Sequence, residues 1–113
     1  MKYLLSIILL VVGTSCFANT THREYQFEND SVKVWKTIIY PNSPLKFHRH
    51  DYPRVIVGLV GGVLTRIEES GEVSYLNIET GKAYWYEADE PGLHWDMNES
   101  DAPIEVMLIE VRK

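Results

Sequence analysis

His48 and His50 stand one residue apart in the stretch "FHRHDYPR", residues 47 to 54, and Arg54 follows four residues after the second. Alternate residues of a strand face the same way, so a strand here aims both imidazoles into one space. Imidazole is the commonest biological ligand for transition metals, and two converging rings suggest a metal site. The arginine stands where such a site would most welcome a carboxylate. A guanidinium stays protonated and cannot ligate a cation, but it grips anionic groups through a rigid fork of N–H donors. The segment therefore points two ways, to metal chemistry and to anion binding.

The rest of the chain supplies strands to hold these residues. Tyr25 to Glu28 and Val32 to Tyr40 are rich in β-branched and aromatic residues, and "PNSP" at 41–44 interrupts them before "LKFHRH". "VIVGLV" at 55–60 is apolar throughout, which predicts a strand buried on both faces. Gly61 and Gly62 predict a tight turn into "VLTRIEE", "SGE" turns into "VSYLNI", and "TGK" turns into "AYWY". "EADEPGL" reads as a loop, and "IEVMLIEVRK" closes the chain as a long alternating strand. Turn residues recur at sandwich or barrel spacing, and no helical period persists after the amino terminus. The expectation is one all-β domain without internal repeats.

The first residues have another character. Lys2 precedes an apolar run from Tyr3 to Val12 broken only by Ser6, and Cys16-Phe17-Ala18 has the small-x-small form of a cleavage site. This predicts a secretory signal peptide over 1–18 and a domain over 19–113, exported to a periplasm or secreted. A lipoprotein acylated at Cys16 is the alternative, and Gly13, where a bulky aliphatic is usual, counts against it. Cleavage removes Lys2 and the single cysteine, leaving ten Lys+Arg against sixteen Asp+Glu. The remaining chain has no disulfide, so its core or a homodimer interface must hold it together. Its acidic balance argues against nucleic acid as a partner, and it has no second run long enough to span a membrane.

With this strand pattern, the two histidine stretches resemble the paired motifs of the cupin superfamily, as small single-domain RmlC-like jelly rolls. The first cupin motif has His-x-His, then a glutamate, then a glycine; here His48, His50, Arg54 and Gly61 occupy those places. The second has a proline-glycine loop, a histidine and an asparagine; Gly81, Pro91-Gly92, His94 and Asn98 follow in that order, with the proline and glycine shifted from their usual offsets. The resemblance covers roughly residues 40 to 112. It implies an antiparallel jelly-roll barrel, often dimeric, with the histidines of both motifs at the barrel mouth. It also implies a divalent transition metal (Fe, Zn, Ni or Mn) on His48, His50 and His94. The family includes isomerases, dioxygenases and sensors, so fold alone selects no reaction.

Arg54 departs from the family at the glutamate that completes the ligand set. Three arrangements stay open. The three histidines hold metal alone; Asp51 turns in as carboxylate, against its parity with His50; or the site is metal-free and Arg54 holds a carboxylate or sugar or pairs with an internal acid. A structural salt bridge is the plain alternative for Arg54. Tyr84 and Trp95 are candidate ligand-contacting aromatics, although core packing is the favoured reading of such residues in a small barrel. Asp89, Glu90, Asp96, Glu99 and Asp101 read as a solvated rim, Asn98 as a turn-fixing amide, and His22 as surface. Three readings follow: a small-molecule binder or enzyme with a three-histidine metal site, of oxygenase or isomerase type; a metal-free binding module built on Arg54; or a protein without ligand whose barrel serves only assembly. No phosphate loop or nucleophile elbow is present, which excludes nucleotide hydrolysis and esterase chemistry.

Overall fold

The computed structural model describes residues 20–48, 50–88 and 92–112. The segment read as a signal peptide, Pro91, Asp89 and Glu90 lie outside the described residues. Nine strands follow one another: β1 (His22–Glu28), β2 (Val32–Ile39), β3 (Leu45–His48), β4 (Arg54–Val60), β5 (Gly62–Glu68), β6 (Val73–Ile78), β7 (Ala83–Tyr86), β8 (His94–Asn98) and β9 (Ile104–Val111). They form a five-stranded sheet in the order β1-β2-β9-β4-β7 and a four-stranded sheet in the order β3-β8-β5-β6. All pairings between these strands are antiparallel. The architecture is all-β and of jelly-roll type.

β9 organises the larger sheet. Its residues alternate strictly between buried and half-buried, so Ile104, Val106 and Leu108 all face inward. β2 pairs with it without interruption from Val32↔Val111 to Ile39↔Ile104. From these strands Ile39, Ile104, Val106 and Leu108 meet Ile56 of β4, Leu64 of β5 and Ile78 of β6 in one apolar cluster. At about 1.5–3 kcal/mol per buried aliphatic side chain, this cluster is the main attraction between the two sheets.

One local expectation needs correction. β4 is not buried on both faces: its inward residues Arg54, Ile56 and Gly58 are buried, whereas Leu59 and Val60 are 37% and 42% exposed. Its apolar run satisfies a central position in one sheet and one covered face. The tight turn expected at Gly61 and Gly62 is present, and it joins β4 and β5 of different sheets. The pair forms a corner where the chain changes sheet. A Cβ on Gly61 would lie 2.4 Å from the Ile78 carbonyl oxygen, so the requirement is for close approach of backbone.

The segment 94–98, to which the sequence reading assigned no strand, is β8, the middle strand between β3 and β5. Asn98 at its end is completely buried and explains how the strand stops. Its amide nitrogen donates to the Ile39 and Ala102 carbonyls at 2.9 and 2.8 Å, and its oxygen accepts from the Ser100 amide at 3.0 Å. The expected turn-fixing role is present, and it also ties β2 to β8.

Candidate metal centre

β3 ends at His48, which lies directly opposite His94 of β8 in the register of the smaller sheet. His50 follows beyond the strand end, yet its ring reaches the same space. The His48 ring centroid is 4.9 Å from that of His50 and 4.3 Å from that of His94. One ligand nitrogen from each of the three lies within 4.8 Å of the others. His50 and His94 are 8% and 2% exposed, so the cluster sits inside the barrel rather than on its rim. This is a buried three-histidine cluster capable of coordinating a metal ion.

The tautomer of His48 fits that role. Its Nδ1 is 2.6 Å from the Lys46 carbonyl oxygen, which accepts only if Nδ1 carries the proton. That leaves Nε2 as the nitrogen with which the ring would ligate, and the carbonyl fixes the plane of the ring.

Arg54, read as a candidate ligand-binding residue, is 3% exposed and lines the same pocket. Its Nη1 donates to the Glu87 carbonyl at 3.0 Å, and its guanidinium lies 5.5 Å from the centre of the Tyr86 ring. Directly across β9 stands Glu110, also buried. Tyr86, beside Arg54, has its phenol pushed above the ordinary range, chiefly by burial.

The other two aromatic candidates stand apart from this pocket. Tyr84 packs against the apolar cluster, and its hydroxyl oxygen accepts from the Glu79 amide at 2.9 Å. Trp95 alternates with the buried His94 and Asp96 and is half-buried; neither it nor Tyr84 is among the pocket's lining residues. Asp51 is exposed and also outside the lining. His22 is exposed, as expected; the Thr20 carbonyl and then the Glu24 carboxylate raise its pKa above the ordinary value.

Three charged residues of the pocket were not read from the sequence as site residues. Asp96 is no rim acid: it is 8% exposed, faces inward beside His94, and lines the pocket. Alternation from His94 along β8 would have placed it there. Arg66 lies across from it on β5, with its Nε donating to Glu68 at 2.9 Å. Arg23 comes from the edge strand β1, where it pairs in register with the buried Thr37. Arg23 is partly exposed and lines the pocket, with its guanidinium 5.6 Å from the centre of the Trp35 ring. Burial lowers its pKa, while the Asp96 and Glu110 carboxylates push it upward. The pocket holds about 40 Å³. A water needs about 10–15 Å³ on this measure, so the space suits an ion with a few waters or a ligand of a few heavy atoms.

No family profile and no curated protein matches the sequence. Solved structures do. A cupin-domain protein from Bordetella pertussis superposes with a TM-score of 0.74 at 23% identity, over 83% of this chain and 95% of that one. An RmlC-like cupin protein from Methanocaldococcus jannaschii gives 0.62 at 12% identity, over 85% and 84%. The polyketide cyclase RemF from Streptomyces resistomycificus gives 0.59 at 14% identity, over 85% and 68%. At these identities the likeness is one of architecture, and by that architecture the chain has the fold of the cupin, or double-stranded β-helix, superfamily.

Proposed function

We propose that this chain is an exported protein that holds a divalent transition ion on His48, His50 and His94 and takes a small anionic molecule to it. The observation that carries the reading is the convergence of three imidazoles inside a buried pocket, with ligand atoms within 4.8 Å of one another. The donor set is nitrogen-rich, which suits zinc, iron or nickel better than magnesium or calcium. When bound, the ion supplies Lewis acidity or oxygen activation. The chain's own residues choose what reaches it. Arg23, Arg54 and Arg66 line the pocket beside Asp96, and guanidinium N–H groups there suit an anionic guest. The small volume favours a short carboxylate over a sugar.

Export rests on Lys2, the apolar run to Val12 and the Cys16-Phe17-Ala18 signature; the first strand starts at His22, shortly after Ala18. Among the described residues no helix is long and apolar enough to cross a membrane. A second copy of the chain is the proposed partner, added along β1.

Metal analysis of protein purified from its native compartment tests the central reading. The wild type should carry about one ion per chain, and the His50→Ala/His94→Ala variant should lose it, because two fewer imidazoles leave no chelate. Equal metal content in both proteins would overturn the metal reading. It would favour the second one, in which the buried Arg54 clamps a carboxylate in a metal-free pocket.

A further inference from the structure

We propose that Asp96 is a fourth protein ligand of the metal centre, in the role that the cupin motif gives to a glutamate at the position of Arg54. The proposal rests on the three-histidine reading and extends it to a residue outside both motif patterns.

The geometry begins with β8. His94, Asp96 and Asn98 occupy alternate positions and are 2%, 8% and 0% exposed, so the carboxylate is carried inward beside the histidine. Asp96 Oδ2 lies 3.7 Å from His48 Nε2 and 3.9 Å from His94 Nε2. These separations exceed those of a hydrogen bond, so the carboxylate does not orient either ring by accepting its N–H. They are close to the separation of atoms that share an ion. Donors about 2.0–2.2 Å from a metal, at tetrahedral or octahedral angles, stand about 3.0–3.5 Å apart.

The Lys46 carbonyl engages His48 Nδ1, which leaves Nε2 as the nitrogen on the side of the cluster, 3.7 Å from Asp96 Oδ2.

The exchange with Arg54 also fits. The motif position on β4 carries a group that cannot ligate, and an acid on β8, in the sheet that carries His48 and His94, stands beside them instead. A carboxylate also offsets part of the charge that three neutral imidazoles would leave on a buried divalent ion. In the absence of metal, Arg66 across β5 and Arg23, whose pKa the Asp96 charge pushes upward, offset the charge of the acid instead.

Zinc and cobalt binding to the mature wild-type chain and to Asp96→Asn tests this. Zinc affinity, measured by competition with a chromophoric chelator, should fall by more than the ~10–100-fold that loss of an outer-shell partner costs. The visible spectrum of the cobalt form should change with the ligand set. A smaller loss with an unchanged cobalt spectrum would overturn the proposal and leave the three-histidine site standing. Failure of the wild type to bind either ion would overturn both. If Asp96→Asn does not fold, wild-type protein labelled with ¹³C-aspartate decides: zinc should shift a carboxylate stretch in the infrared difference spectrum, and the absence of any shift would overturn the ligand role.

Discussion

Arg54 shows how a single residue can be readable in position and unreadable in role. Its spacing from His50 placed it at the pocket, and there it stands. Whether it serves a ligand or the fold depends on Glu110, more than fifty residues away, which lies opposite it on β9 and is likewise buried. That neighbour decides the outcome of restoring the motif acid. Glu110 keeps the Arg112 guanidinium at 2.9 Å, but Arg54→Glu sets two buried carboxylates in register on adjacent strands, and an uncompensated buried charge costs about 3–5 kcal/mol. Denaturant unfolding should therefore show a large loss of stability, partly recovered by Glu110→Gln. A variant as stable as the wild type would mean that Arg54 serves the ligand alone. Asp96 is the opposite case: its place follows from two-residue alternation with His94, but only once 94–98 is known to be a strand. The acids crowded around it concealed that pattern. Arg23 was not legible at all, because its approach to the histidines depends on sheet order rather than on its own surroundings.

Most strands were legible because their side chains alternate and glycine, asparagine or proline separates them; β9 is the clearest, with its unbroken alternation of burial. What alternation does not carry is sheet membership. The glycine pair between β4 and β5 has the composition of a hairpin, and the chain instead crosses from one sheet to the other there. The crossing is tight. Gly61 donates its amide to the Thr80 hydroxyl at 2.9 Å, and an added Cβ would meet the Ile78 carbonyl oxygen at 2.4 Å and the Thr80 nitrogen at 2.8 Å. Both contacts are backbone and cannot swing aside. Gly61→Ala should therefore cost about 2–3 kcal/mol and lower Tm by roughly 10–20 °C. A melting temperature within two or three degrees of wild type, on that scale about 0.5 kcal/mol, would show that the corner is looser than this packing implies.

At the scale of the whole molecule, the larger sheet ends in β1, all seven residues of which are exposed and which, among the described residues, pairs with β2 alone. An irregularity between Tyr25 and Phe27 turns Phe27 to the outer face, where it meets Val34, Met107 and Ile109 around a shallow apolar depression. A long edge with two exposed aromatics, Tyr25 at 59% and Phe27 at 52%, invites a further strand. Light scattering at micromolar concentration should give a dimer mass that Phe27→Lys reduces to monomer; a monomeric wild type would count against pairing along this edge. The same strand carries Arg23 into the pocket, and this ties occupancy of the interior to the fraying of an edge. Each opening of β1 withdraws a positive charge from the guest, so a bound anion must be released before the strand can lift. Backbone amides of β1 should exchange with deuterium more slowly when zinc-loaded protein is given acetate, by up to about a hundredfold at a hundred times Kd. In Arg23→Ala they should exchange at one rate with or without acetate. Solvent at the outermost strand would then be reporting on a guest held at the centre of the barrel.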